Sequence, residues 1–355
     1  MRNRAWQMMR APAVCAGLVL LTVAFALARD AKAGDFAPAS VPQDKAKETK
    51  EKPAPKVAEK ELQAAKTVEA AADVAATLAA AGEFLQKYPK SALRPQVAQF
   101  VAGKISNVTD AAQQIAHGES YLKLFNAAGE ADFINPYLIS SYTVAKRLDE
   151  AFALAAAALP KTPDPVAVMI NLTLAGTEEA RKQNLKYAAQ SQQYGTQAIE
   201  LIEGGKKPAA VNDTTWVDYK TRWVPLLYQT LAMLSLANGD KADAKTRITK
   251  AAALNPSDPV NYAIIGSMAN NEYQRLAQEH KAATGAQKDE LLKQAQAQMD
   301  QIIDAYAHAL ALADGNAQYG QLRDQLGPDL EAYYKYRHNN STEGLQALID
   351  KYKKR

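Results

Sequence analysis

Beyond residue 60, apolar side chains recur every three or four positions, the repeat of one buried face of an α-helix. In ELQAAKTVEAAADVAATLAAAGEFLQKY, from Glu61 to Tyr88, Val74, Leu78, Ala81 and Leu85 share a face, and Pro89 cannot continue the helix. The same spacing predicts a helix over about 94–104 and another that Asp110 caps, running through SYLKLFNAA. INPYLISSYTVAKR and LDEAFALAAAAL read as a pair stopped by Pro160, Pro163 and Pro165; VAVMINLTLA and NLKYAAQSQQYGTQAIELI read as another, closed by Gly204 and Gly205. TWVDYKTRWVPLLYQTLAMLSLAN follows, then SLANGDKADAKTRITKAAALNPSDP with a Gly239-Asp240 turn. Longer helices are expected from Val260 to about Ala283 and from about Lys288 to Leu312. Two short ones, PDLEAYYKYRH and TEGLQALIDKY, finish the chain, the latter capped by Ser341 or Thr342. No alternating run rich in Val, Ile and Thr argues for a sheet. The expectation is an all-α chain of antiparallel helix pairs joined by short turns, either a bundle or a solenoid, and a repeat period decides between them.

Residues 1–60 depart from this pattern. Arg2, Arg4 and Arg10 precede the uncharged run Ala11 to Ala28, and Ala31-Lys32-Ala33 offers small residues where a signal peptidase reads them. This predicts an export signal over 1–33 and a periplasmic location. The alternative is an uncleaved inner-membrane anchor, because the apolar run is just long enough to span. Cys15 lacks the Leu and small residues that precede a lipoprotein cysteine and is not read as a lipid anchor. Residues 34–60 hold four prolines, many Lys and Glu, and almost no large apolar side chain, which reads as a flexible spacer. The helical domain is then expected over 61–355.

Charge changes the picture once the signal is removed. Lys+Arg falls from 42 by five to 37, and Asp+Glu from 38 by one to 37, so the formal +4 becomes neutral. The basic balance belongs to the targeting segment, and a nucleic-acid partner is not expected. The chain has one cysteine, Cys15, which leaves with the signal; no disulfide, thiolate nucleophile or Cys-based metal site is expected after it.

A 34-residue frame from Pro225 to Asp258 supplies the period. Tyr228, Leu231 and Ala232 fall at positions 4, 7 and 8, Gly239 and Asp240 at 15 and 16, and Ala244, Ile248, Ala251 and Pro256 at 20, 24, 27 and 32. Small residues at 8, 20 and 27 let two helices approach, and bulky ones at 4, 7 and 24 fill the gap between repeats. The stretch resembles the tetratricopeptide repeat, W-x2-L-G-x2-Y followed by A-x3-F, Ala and Pro. It departs at position 4 (Tyr for Trp), position 8 (Ala for Gly) and position 11, usually large, which is Ser235. The next frame, from Pro259, has Tyr262, Ile265 and Gly266 at positions 4, 7 and 8. Its second-helix pattern returns late as Ile302, Tyr306 and Ala309, with Ala309 displaced by 24 residues from its expected place at 285. The insertion reads as both helices lengthening into a hairpin that turns near Thr284-Gly285. Upstream, TPDPVAVMIN resembles PSDPVNYAII, and FLQKYPKSALRPQVA is similar to the Tyr-Pro-x-Ser linkers of repeats in outer-membrane-assembly and cell-division-coordinator proteins. The resemblance implies a right-handed solenoid of stacked pairs with one elongated hairpin near the C-terminus.

Candidate chemistry is sparse. His117, His280, His308 and His338 lack metal-ligand spacing, and no G-x-S-x-G, Walker or G-x-G-x-x-G motif occurs. The pairs Glu178-Glu179 and Asp289-Glu290 are placed at helix starts, where the helix dipole explains them without acid–base work. Trp216, Tyr219, Trp223 and Tyr228 lie on one predicted helix and read as packing between repeats, or else as an aromatic surface that grips a peptide. The basic C-terminus, YYKYRH to DKYKKR, reads as a solvated helix rather than a contact for an anionic lipid or polymer. No catalytic residue, cofactor or metal is expected.

The resemblance implies a non-catalytic protein that binds a protein or peptide partner in the envelope through the concave groove of its first helices. Family positions 2, 5, 9, 12 and 13 face that groove. Here they are Leu226, Gln229, Met233, Leu236 and Ala237, then Val260, Ala263, Ser267, Asn270 and Asn271. The mix of apolar and amide side chains suits an extended peptide or a partner helix. The Lys/Asn set that clamps a terminal carboxylate is missing, so an acidic C-terminal peptide is not expected. The alternatives are an assembly subunit of an envelope complex and, further off, a helical-repeat hydrolase of polysaccharide.

Overall fold

The computed structural model describes residues 58–353. The export signal and all but the last three residues of the spacer lie outside them. Among the described residues every regular element is helical: fourteen α-helices with short 3-10 turns, and no strand. No described helix is long and apolar enough to cross a membrane. The helices divide into two compact units, 58–176 with 193–217, and 177–192 with 218–353.

The N-terminal unit contains α1 (Glu59–Glu69), α2 (Val74–Lys87), α3 (Arg94–Ser106), α4 (Ala111–Leu124), α5 (Asn135–Val144) and α6 (Leu148–Ala158), and sequence neighbours pack against each other. The single helix expected over 61–88 is two. Asp73 breaks it: its carboxylate accepts the Ala76 N–H at 2.8 Å and its carbonyl accepts the Thr77 hydroxyl at 2.7 Å, so Asp73 starts a new helix. Asp110 caps α4 as expected, accepting from the Gln113 N–H at 2.8 Å. Each such cap contributes about 1 kcal/mol. Gly118 lets α4 meet α5, for a Cβ there would stand 2.5 Å from Leu138 Cδ2.

The turn from α4 to α5 is held by an ion pair. Arg94 donates from Nε and Nη2 to the two oxygens of Glu130, at 2.5 and 2.9 Å. Glu130 is buried; it also accepts the Ala127 N–H at 2.9 Å, and its carbonyl accepts the buried Tyr121 hydroxyl at 2.8 Å. The Arg94 hydrogen bond holds the Glu130 carboxyl below the usual carboxylate range.

α7 (Val166–Arg181), α8 (Ala188–Glu203) and α9 (Trp216–Ala237) each supply residues to both units. The C-terminal unit adds α10 (Lys241–Leu254), α11 (Pro259–Ala282), α12 (Gly285–Ala313), α13 (Gly320–Arg337) and α14 (Leu345–Lys353). Gly239 and Asp240 make the expected turn by a specific device. Gly239 takes φ +80°, its N–H reaches the Leu236 carbonyl at 3.0 Å, and the Asp240 N–H reaches the Ser235 carbonyl at 2.8 Å. This pairing closes α9. The Asp240 side chain then accepts from the Asp243 N–H at 3.0 Å and opens α10. Ser235, the small residue at position 11 of the frame, is fully buried and donates to Asp243, which also pairs with Arg247 at 2.6 Å. A polar tie joins the two helices.

α11 and α12 are the elongated hairpin, turning between Ala282 and Gly285 as the sequence predicts, although α12 begins three residues before the expected Lys288. Gly266 lies beneath the buried ring of Tyr306, and burial of such a ring stabilises the pair by on the order of 2–3 kcal/mol. The short helix expected from Pro328 is instead the second half of α13, with Pro328 in its interior. Leu322, Leu326, Leu330 and Tyr334, four residues apart, bury one continuous face, and that packing outweighs the hydrogen bond the proline cannot make. α14 is stacked onto the hairpin: His308 lies between the rings of Tyr262 and Tyr352, at 3.6 and 4.2 Å between centroids, and Lys353 pairs with Asp314 at 2.8 Å.

Candidate functional site

Ten residues were expected to face a groove, and the structure separates them into two groups. Met233, Leu236, Ala237, Ser267 and Asn271 line one hollow of about 280 Å³ in the C-terminal unit. They come from the last turns of α9 and the middle of α11. Ile264, Gly239 and Lys241 share the wall with them, as do Ala180, Gln183 and Leu185 from the end of α7 and the turn after it. The floor is apolar, Met233 and Ile264 being buried, and the rim carries amides and one lysine. Leu185 is 44% exposed at that rim, a large apolar side chain left in water.

The other expected residues do not reach this hollow. Val260 and Ala263 are wholly buried, and Leu226 is half-buried outside it. Gln229 is buried too, and its Nε2 donates to Asp258 and to Asn261, both at 2.9 Å. Asp258 accepts the Val260 N–H at 2.9 Å, and Asn261 donates to the Asn255 carbonyl at 3.0 Å. This network ties α9 to the turn before α11 and its first residues. Burial pushes the Asp258 carboxyl above its usual range. Asn270 is likewise internal, its Oδ1 accepting the Tyr333 hydroxyl at 2.7 Å. Period alone could not separate these amides from Asn271, because the choice depends on what the elongated hairpin and α13 pack against them.

Gln183, Leu185, Lys241 and Ile264 escaped the sequence reading. Gln183 could not be found by repeat position, because it sits in the turn. It holds φ +67° and closes α7, its N–H on the Ala180 carbonyl at 3.0 Å and the Asn184 N–H on the Glu179 carbonyl at 3.0 Å. An exposed leucine in a polar turn was the available signal for Leu185.

Beside this hollow lies a second, of about 320 Å³, on the face of α11 turned to α10 and α12. Leu236, Lys241 and Asn271 line both. Its floor is Ile248, Ile265, Met268 and Ala269. Lys245 and Thr249 stand on the α10 side, Gln298 and Gln301 on the α12 side. On α11, Arg275 engages Glu272, with Nε at 3.0 Å from both carboxylate oxygens, and this holds the Glu272 carboxyl low; Lys241 reaches Glu272 only at 3.9 Å.

The carboxylate pairs are resolved differently from expectation. Glu178 and Glu179 lie in the last turn of α7, not at a helix start. There the helix dipole opposes them, and ion pairs offset it: Glu178 with Arg181 at 2.8 Å and Glu179 with Lys182 at 2.9 Å. Asp289 and Glu290 lie in the second turn of α12, past the first turn where the helix dipole was expected to hold them. Of the aromatic residues on α9, Trp223 is buried, with Tyr219 tilted against it at 6.1 Å; Tyr228 packs on the core and Trp216 is half-buried. His308 is the helix-face residue expected, held in its aromatic stack. Among the described residues no three His, Cys, Asp or Glu side chains gather as a metal site.

No known protein family, curated protein or solved structure matches this chain.

Proposed function

We propose that the protein is a non-catalytic, exported helical-repeat protein that binds a segment of another envelope protein in the hollow between α9 and α11. In this reading its helix pairs stack as a right-handed tetratricopeptide-like solenoid. The observation that carries the reading is the convergence of Met233, Leu236, Ala237, Ser267 and Asn271 on one apolar-floored hollow with an amide rim. An apolar floor supplies affinity through desolvation, and rim amides can pair with a peptide backbone. The leucine left exposed at the edge is the kind of surface a partner covers.

The experiment is crosslinking mass spectrometry on the native envelope with wild-type chain and with Met233→Glu combined with Asn271→Ala. The expected result is loss of a defined set of crosslinked proteins, with circular dichroism showing a folded variant. An unchanged set of partners overturns the assignment of the hollow.

A further inference from the structure

We propose that the second hollow, bounded by α10, α11 and α12, takes an apolar side chain of the same bound segment, and that the residue beside it is an aspartate or glutamate. The inference rests on the groove reading and adds the chemistry of the partner: an internal acidic, amphipathic stretch rather than a chain terminus.

Continuity comes first. The two hollows share Leu236, Lys241 and Asn271, so a segment lying across that rim meets both without leaving the surface. The second hollow exists because of the long hairpin, for Gln298 and Gln301 on α12 close the side that α10 leaves open. Its floor of Ile248, Ile265, Met268 and Ala269 offers nothing to a polar side chain, whereas a leucine-sized group is desolvated there.

Charge specifies the neighbour. Lys241, Lys245 and Thr249 are spaced by four on α10, so they project from one face, and all three line the hollow. Lys245 is exposed and has no ion-pair partner among the described residues. Lys241 is 3.9 Å from Glu272, and that carboxylate is already engaged by Arg275, which also pairs with Glu279. Glu272 lines the same hollow, but Arg275 holds its carboxylate, so the rim presents Lys245 uncompensated and Lys241 weakly compensated beside an apolar floor. A carboxylate flanked by apolar side chains matches both; a lysine or arginine in its place meets like charge.

The test is selection of a displayed library of random peptides on the full chain, followed by affinity measurement of the enriched peptides. Enriched sequences are expected to carry Asp or Glu between apolar residues. Their affinity should fall about tenfold or more on Lys245→Glu, should fall as salt rises, and should be lost on Thr249→Trp, which fills the hollow from an exposed position. Both substituted residues are exposed, and a melting temperature no lower than wild type checks that the fold is kept. Enriched peptides without acidic residues, or peptides blocked by Met233→Glu but indifferent to Lys245→Glu and Thr249→Trp, overturn this inference while leaving the groove reading standing. Failure to enrich any peptide overturns both.

Discussion

The ring of Tyr306 occupies the space that a side chain on Gly266 would need: a Cβ there would stand 2.4 Å from Tyr306 Cδ1 and Cε1. The two residues hold positions 8 and 24 of one repeat frame, the positions that Ala232 and Ile248 hold in the frame before it. A larger residue at 24 accompanies a smaller one at 8, so each pair fills a similar volume. Gly266→Ala should destabilise the chain by about 1–3 kcal/mol, because Tyr306 is buried and has nowhere to move. Combining it with Tyr306→Ile, which recreates the preceding pair, should recover part of the loss. Urea denaturation of the two single variants and the double checks this, and additive losses would show that the pair is not coupled.

That pairing also shows what the sequence could reveal. Position 8 against position 24 is a local rule of volumes, visible in the spacing of small and large residues, and so is the Gly239-Asp240 turn. The sequence hid what depends on unrelated segments. Pro328 looked like a helix start because its missing hydrogen bond is local, while the buried row Leu322, Leu326, Leu330 and Tyr334 that carries α13 through it depends on the hairpin. In the candidate site, positions 9 and 13 of both frames and position 12 of the first reach the hollow, whereas positions 2 and 5, and Asn270 at position 12 of the second frame, do not. Gln229 at position 5 is drawn inward by Asp258 and Asn261, polar partners in the turn before α11 and its first residues.

Arg94 and Glu130 predict a dependence on acid. The folded state holds the Glu130 carboxyl low, so its contribution is complete above the unfolded carboxylate value of about 4.3 and is lost as pH falls through the lower folded value. Glu130→Gln should flatten the stability profile in that window. At neutral pH it should cost about 1.5–3 kcal/mol, because half-buried Arg94 loses its charged partner while the glutamine oxygen can still accept from it. Chemical denaturation from pH 3 to pH 7 reads both effects; an equally steep acid limb in the variant would reject the assignment.

His280 predicts a second pH effect at a higher range. It is buried at the far end of the hairpin, where burial and nearby Lys288 lower its pKa and Asp289 opposes them only in part. The unfolded chain therefore binds more protons than the folded chain just below the unfolded value of about 6.5, and stability falls as the pH drops through that region. The loss should appear as local opening, with faster amide exchange in Leu276 to Leu291 at pH 5 than at pH 7 after correction for intrinsic rates. His280→Gln should remove the difference. Equal protection at the two pH values would mean that the imidazole takes its proton without cost.

The buried and rim amides should separate stability from recognition. Gln229→Ala strips Asp258 and Asn261 of a buried donor, and Asn270→Ala removes the acceptor of the Tyr333 hydroxyl; each should cost about 1–3 kcal/mol. Asn271 is exposed and lies on the rim of both hollows, so Asn271→Ala should change stability by no more than about 0.5 kcal/mol. The order should reverse for peptide affinity measured well below each melting temperature. There Asn271→Ala should weaken binding severalfold, while Gln229→Ala, once folded, should bind as wild type does, because its side chain does not line either hollow. Parallel thermal melts and titrations of an enriched peptide provide the comparison. If Gln229→Ala lost affinity in the fully folded state while Asn271→Ala kept it, the binding surface would have to reach the middle of α9, around Gln229, instead of its last turns.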